Sequence, residues 1–328
     1  MALGGLGGTS GHRVIPSKPE HRSDSTSAME RVKKQMKFGV FWMNTDEGLD
    51  PLELAREAEG LGIESVFVPD HSHVPVHREV SFAAGSDRVN LADRNDLGDV
   101  SDSDMPRDFY RNREQLLSLA AMAAVTSTLR LGTGICLVPQ RDPIRLAKEV
   151  ATLDQMSRGR LLLGVGVGSP WNREEIRNHG TDPRTRMKLM TERMEAMQRI
   201  WTSDEAEYHG EFVQFDPLYS WPKPFQKPWP KVFVGGDHPN ALDRVLAYGD
   251  GWMPGHFEDM GLFRERISEL QERAAAAGRG RMEIIVTLAH LDRVDDYVEA
   301  GADRILVMVP TGQERKYLKD VATAANAF

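Results

Sequence analysis

The sequence contains a single cysteine, Cys136, in 328 residues. A lone thiol excludes an intramolecular disulfide and fits a reducing compartment, so the chain is read as cytoplasmic. No apolar run approaches the ~20 residues that a membrane helix needs, so no membrane partner is expected. An excess of basic charge is also missing. The formal net charge is −8, which favours solubility and argues against a general nucleic-acid partner. Several catalytic signatures are absent: there is no G-x-S-x-G elbow, no P-loop and no H-E-x-x-H. His71, His73 and His77 lie close together, but nothing else in the chain has metal-ligand spacing, so no metal is expected.

The first 35 residues are rich in Gly, Ser and charge and lack an apolar block. They read as a flexible tail without the hydrophobic centre of a secretory signal, and Met36 offers an alternative start. From Lys37 onward, short β-rich runs alternate with helical patterns. "KFGVFW" leads into "DPLELAREAEGLG", where Asp50 is placed to cap, Pro51 suits the first helical position and Glu53 sits at the capping-box position. "RLGTGICLVP" leads into "DPIRLAKEVATLDQMS" in the same way. Eight such units predict an α/β fold, a (β/α)8 TIM barrel with inserted loops, ahead of a doubly wound open sheet. Two connections are too long for turns. One runs from Ser72 to Asn112; the other, Ser203 to Pro230, holds a predicted hairpin ("YHGEFVQFD") and a proline-rich stretch.

In such a barrel the chemistry lies at the C-terminal ends of the strands. There Asp70 and His71 follow the second strand, a pairing suited to acid-base work near neutral pH. The third strand, Arg130 to Pro139, is interrupted by Gly132 and Gly134, which points to a bulge or a close approach to the backbone. Gly164, Gly166 and Gly168 end the fourth strand, and Gly235 and Gly236 end the fifth. Either turn could present backbone amides to an anion, and either could serve packing alone. Arg141, Arg145, Arg173, Arg177, Arg184 and Arg186 flank these turns. For most of them an ordinary solvated helix face is the simpler reading, but some could meet an anionic ligand tail.

Taken in order, "MKFGVFWMNTDEG", "ELAREAEGLGIESVFVPDH", "LRLGTGICLVPQRDPIRLAKEVATLDQMSRGRLLLGVGVG", "DPRTRM", "PKPFQKPWPKVFVGG" and "AYGDGWMP" resemble the luciferase-like monooxygenase superfamily. The branch most resembled is the one using the deazaflavin coenzyme F420. The resemblance runs from Met36 to the last strand and implies one luciferase-like barrel domain over residues 36–328. It implies a cofactor at the C-terminal strand ends and a non-prolyl cis peptide at Gly134-Ile135 backing its ring. It also implies Asp70 and His71 near the reacting ring; in a hydride-transfer reading of the chain, Asp70 would hold His71. Gly166, Gly168 and Ser169 match the turn after strand 4, and Gly235-Gly236 matches a turn that helps hold the cofactor phosphate. The implied activity is hydride transfer between F420 and a small organic substrate. The alternatives are an FMN-dependent monooxygenase fed by a partner flavin reductase, and a non-catalytic flavin-binding protein. Family analogy implies a homodimer. The sequence departs from the pattern where Ser169-Pro170 precedes Trp171-Asn172.

Overall fold

The first strand-helix unit shows how local sequence builds the fold. Lys37–Trp42 forms β1, and Pro51–Gly60 forms α1. The Asp50 carboxylate accepts from the Leu52 amide at 2.9 Å, and Pro51 occupies the first turn, as its fixed φ favours. Glu53 turns outward to Arg315 of the last helix. Asp142 caps its helix likewise, accepting from the Arg145 amide at 2.9 Å. The computed structural model describes Met1 and residues 36–82, 105–255, 257 and 259–328. The predicted tail and the middle of the long loop after the second strand lie outside the described residues.

The strands are β1, β2 (Ser65–Val68), β3 (Arg130–Thr133), β4 (Cys136–Leu137), β5 (Leu161–Gly166), β6 (Glu205–His209), β7 (Gln214–Tyr219), β8 (Lys231–Gly235), β9 (Gly251–Met253), β10 (Glu283–Ala289) and β11 (Arg304–Val309). After α1 come α2 (Gln115–Val125), α3 (Pro143–Met156), α4 (Arg173–Asn178), α5 (Arg186–Thr202), α6 (Ala241–Tyr248), α7 (Met260–Ala276), α8 (Val294–Ala300) and α9 (Glu314–Ala327). Parallel pairing runs β3-β2-β1-β11-β10-β9-β8-β5, and β5 returns to β3 through Leu131↔Leu161 and Gly132↔Leu162. The sheet is therefore a closed barrel, not an open doubly wound one. β4 continues the path of β3 and pairs with β5 at Cys136↔Val165 and Leu137↔Gly166, so the two share one barrel position. The predicted hairpin forms as the antiparallel pair β6–β7. The proline-rich stretch after it is tied down by Lys223 Nζ, which donates to the Ile200 carbonyl at 2.7 Å. Among the described residues no helix is long and apolar enough to cross a membrane.

Two apolar layers hold the barrel. One lies between the sheet and its helices and includes Val40, Leu54, Val150, Leu163 and Val234. The other fills the barrel with Phe67, Leu162, Phe233, Met253, Ile285 and Leu306. The rings in this inner layer explain part of the glycine content. A Cβ at Gly132 would lie 2.3 Å from the Phe67 ring, and one at Gly251 would lie 2.7 Å from the Phe233 ring. Thus Gly132, which interrupts a predicted strand, is the space that Phe67 fills. Gly132→Ala should destabilise the barrel by ~1–3 kcal/mol through overpacking. Gly60→Ala, whose Cβ would meet nothing within 4 Å, is the control. Urea unfolding checks the pair; equal midpoints for the two variants would contradict this account of Gly132.

Candidate active site

Asp70 and His71 follow β2 at the C-terminal end of the barrel, yet their side chains have different partners. Asp70 is buried. Its Oδ2 accepts from the Leu137 amide at 2.9 Å and from Arg141 Nε at 3.1 Å, and its Oδ1 accepts from Arg141 Nη2 at 2.7 Å. This carboxylate fastens the end of β2 to β4 and the turn beyond it. It also acts on Cys136. Burial pushes that thiol up, and the Asp70 charge pushes it further, so Cys136 stays protonated and unreactive.

His71 finds its carboxylate on Glu175 instead. The Nδ1 to Oε2 separation is 3.3 Å, and the Glu175 side chain is fully buried. The expected hold of Asp70 on His71 is therefore replaced, because both Asp70 oxygens are taken by Leu137 and Arg141. Asn172 extends the arrangement. Its Nδ2 donates to Glu175 Oε2 at 2.6 Å, and its Oδ1 accepts from the Ser169 amide at 2.8 Å. A polar chain thus runs from the glycine turn after β5 to His71. Gly168 in that turn has φ 75°, which glycine adopts without strain.

Aromatic rings enclose the histidine. The centroid of Trp171 lies 5.2 Å from that of His71, and Phe109 lies 5.8 Å away. Phe82 meets Phe109 and Trp171 edge-on at 4.8 and 5.3 Å. Phe82 and Phe109 come from the two described flanks of the long connection after β2, so that insertion walls the site. Beside His71, the loop is pinned to the last residue of α4 and the residue after it. Ser72 Oγ lies 2.6 Å from His179 Nε2, and His73 Nε2 lies 2.9 Å from Asn178 Nδ2. Burial, with His73 nearby, holds His179 below the ordinary histidine range. Among the described residues no group of three His, Cys, Asp or Glu could hold a metal.

The glycines gather around one side chain. The Gly134–Ile135 peptide bond is cis, at the position the family resemblance implies. Ile135 Cδ1 fills the space that a Cβ at Gly166 would need, 1.8 Å away, and lies 3.2 Å from a Cβ built at Gly235. Gly134, Ile135, Gly166 and Gly235 therefore meet above the inner core. Gly236 differs from these. Its φ is 106°, and a Cβ there would approach nothing closer than Ala241 at 3.9 Å.

To one side lies a cavity of about 610 Å³ lined by Arg173, Arg177, Arg184, Arg186, Thr181 and Asp182, among others. Thr181 Oγ1 donates to the Pro139 carbonyl at 2.8 Å, which ties the cavity to the turn after β4. Arg184 pairs with Asp182 at 2.7 Å, and Arg177 reaches Glu79 at 3.6 Å. Among the described residues Arg173 and Arg186 have no carboxylate partner. Arg186 Nε is buried without a hydrogen-bond partner, and burial together with the like charge of Arg173 lowers the Arg186 pKa. Such a donor set fits an anion. Arg141 and Arg145, by contrast, are engaged by Asp70 and Glu149.

A closed parallel barrel with a walled histidine at its C-terminal mouth defines the chain as a TIM-barrel protein. Its particular family is shown by sequence: residues 36–322 match the luciferase-like monooxygenase family, to which the chain belongs. The chain is 35% identical over 279 residues to an uncharacterized protein of Mycobacterium tuberculosis, covering 84% of this chain and 92% of that protein. It is 36% identical over 133 residues to the oxygenase component of a flavin-dependent trigonelline monooxygenase from Acinetobacter baylyi. That match covers 40% of this chain and 37% of the relative. The fold is shared with an F420-dependent secondary alcohol dehydrogenase bound to an F420-acetone adduct. The TM-score is 0.67 at 19% identity, covering 88% of this chain and 98% of that one. Proteins that share this fold thus include an F420-dependent enzyme, and sequence relatives include a flavin-dependent one.

Glu175, Asn172, Trp171, Phe82 and Phe109 are the site residues that sequence reasoning did not assign. The spacing of Asn172 and Glu175, three apart across the start of α4, was a usable signal that two groups share a helix face.

Proposed function

We propose that the chain is an oxidoreductase transferring hydride between an F420-type deazaflavin and a small organic substrate. The observation that carries the reading is the walled His71, backed by Glu175, at the barrel mouth where an arginine-lined cavity offers unpaired donors to an anion. A ring cofactor with an anionic arm uses both features at once. When bound, the coenzyme supplies a ring carbon that carries hydride. Around it Gly134, Ile135, Gly166, Gly168, Ser169, Gly235 and Gly236 form the supporting ledge. Gly236 and the pair Arg173–Arg186 are the places open to the anionic arm. His71 moves or holds a proton at the substrate or ring edge, and Trp171, Phe109 and Phe82 keep water away from it. Asp70 serves the site from outside by fixing Arg141 and the Leu137 amide.

One observation favours a second reading. The match to the oxygenase component of a flavin-dependent trigonelline monooxygenase supports a flavin as cofactor; on that reading the chain uses FMN, with a partner reductase supplying it reduced. Titration of the full chain with F420 and with FMN, each oxidised and reduced, separates the two. F420 is expected to bind, with affinity falling as salt rises because arginines hold its anionic arm. Binding of FMN without F420 would reverse the assignment.

A further inference from the structure

Glu175 is an unusual group to find without a full counter-charge. Its side chain is completely buried, its Oε1 has no hydrogen-bond partner, and among the described residues no Lys or Arg pairs with it. The other oxygen, Oε2, receives a neutral amide proton from Asn172 and faces His71 Nδ1. A buried carboxylate without adequate donors is costly, so whatever proton the imidazole can direct at Oε2 is strongly favoured there. In the opposite arrangement the Nδ1 lone pair would face a carboxylate oxygen at 3.3 Å, two acceptors in contact.

The geometry points to Glu175 as the positioning residue that holds His71 in its Nδ1–H tautomer, leaving the Nε2 lone pair as the proton acceptor of the site. The same logic operates where a second partner on one imidazole nitrogen fixes what the other nitrogen can do. Asn172 supports the arrangement by orienting Oε2, and its own orientation is set by the Ser169 amide in the turn after β5. The Trp171 and Phe109 rings are tilted against His71 by 35° and 49°, and neither ring offers a lone-pair acceptor that competes for the Nδ1 proton. A proton-accepting role for Nε2 rests on the oxidoreductase reading above; the tautomer itself does not.

Side-chain nitrogen NMR of histidine-labelled full chain, without cofactor or substrate, tests this directly. The His71 signals are assigned by their loss in His71→Gln. In the wild type, neutral His71 should be mainly the Nδ1–H form. Glu175→Leu should shift the tautomer ratio about tenfold or more toward Nε2–H, because the acceptor is gone. Glu175→Gln should keep Nδ1–H, because its side-chain oxygen still accepts. A predominantly Nε2–H wild type, or an unchanged ratio in Glu175→Leu, would overturn the proposal. If Glu175→Leu does not fold, the wild-type and Glu175→Gln spectra decide the matter. Because no cofactor is present, failure here leaves the F420 reading standing, and failure of the F420 titration leaves the tautomer result standing.

Discussion

Replacing His71 by glutamine is expected to lower turnover by about 10²–10⁴-fold, the usual contribution of a positioned acid-base group. Cofactor affinity should change by less than about tenfold, since the donors assigned to the anionic arm lie elsewhere. The asymmetry follows from the site. His71 is placed by Glu175 and walled by Trp171, Phe109 and Phe82, whereas Arg173 and Arg186 line a separate cavity. Glutamine keeps polarity and approximate length but cannot take up a proton at neutral pH. The measurement is cofactor-coupled turnover with a substrate found by screening alcohols, ketones and enones, alongside a cofactor titration of the same variant. Turnover within about threefold of wild type would remove His71 from the chemistry. A parallel loss of cofactor binding would move it into the binding site instead.

The barrel was legible because its signal is periodic and local. β1, β8 and β11 are short β-rich runs, and caps such as Asp50 and Asp142 mark where the chain turns into helix. The end of the barrel that carries chemistry followed from the fold, so Asp70 and His71 could be picked out by position. Their partners could not. His71 meets Glu175 across 104 residues, and Asp70 meets Arg141 across 71. An adjacent Asp-His pair invites the reading that one holds the other, but consecutive residues leaving a strand point in different directions. Asp70 turned to β4 and His71 to α4. The glycines show the same limit. Gly132 makes room for Phe67 and Gly166 for Ile135, and neither contact is visible in a local pattern. The resemblance to a family located the Gly134–Ile135 feature, which the glycines alone marked only as a bulge or a close approach to the backbone.

Arg304→Met should destabilise the chain by ~3–5 kcal/mol at neutral pH, the usual result of removing one partner from a buried ion pair. Arg304 starts β11 at the end of the barrel opposite the site and is 2% exposed. Its Nε and Nη2 donate to both oxygens of Glu64 at 2.9 and 2.8 Å, and its Nη1 donates to Glu283 at 2.9 Å. Lys37 and Lys231 complete the network around Glu283, at 3.1 and 2.9 Å. Burial alone would raise the Glu283 pKa, but the Arg304 charge and the two lysines outweigh it and hold the group at about 2. A folded-state pKa below the ordinary 4.5 means stability that is present above pH 4.5 and lost as pH falls toward 2. At about 1.4 kcal/mol per unit, this one carboxylate contributes roughly 3 kcal/mol that acid removes. Glu64 is shifted the same way: burial opposes its charge, and Arg304 more than restores it. Two consequences can be read in one set of denaturant curves. At pH 7 the methionine variant should unfold at a much lower midpoint than wild type, because the half-buried Glu64 and Glu283 carboxylates lose their shared guanidinium. Between pH 4.5 and 3 the gap should narrow: the unfolded chain protonates these carboxylates there while the native wild type holds Glu283 ionised to about 2, so the advantage that Arg304 confers on the wild type is progressively lost. A constant gap across that range would show that Arg304 stabilises the barrel through packing of its stem and not through its charge.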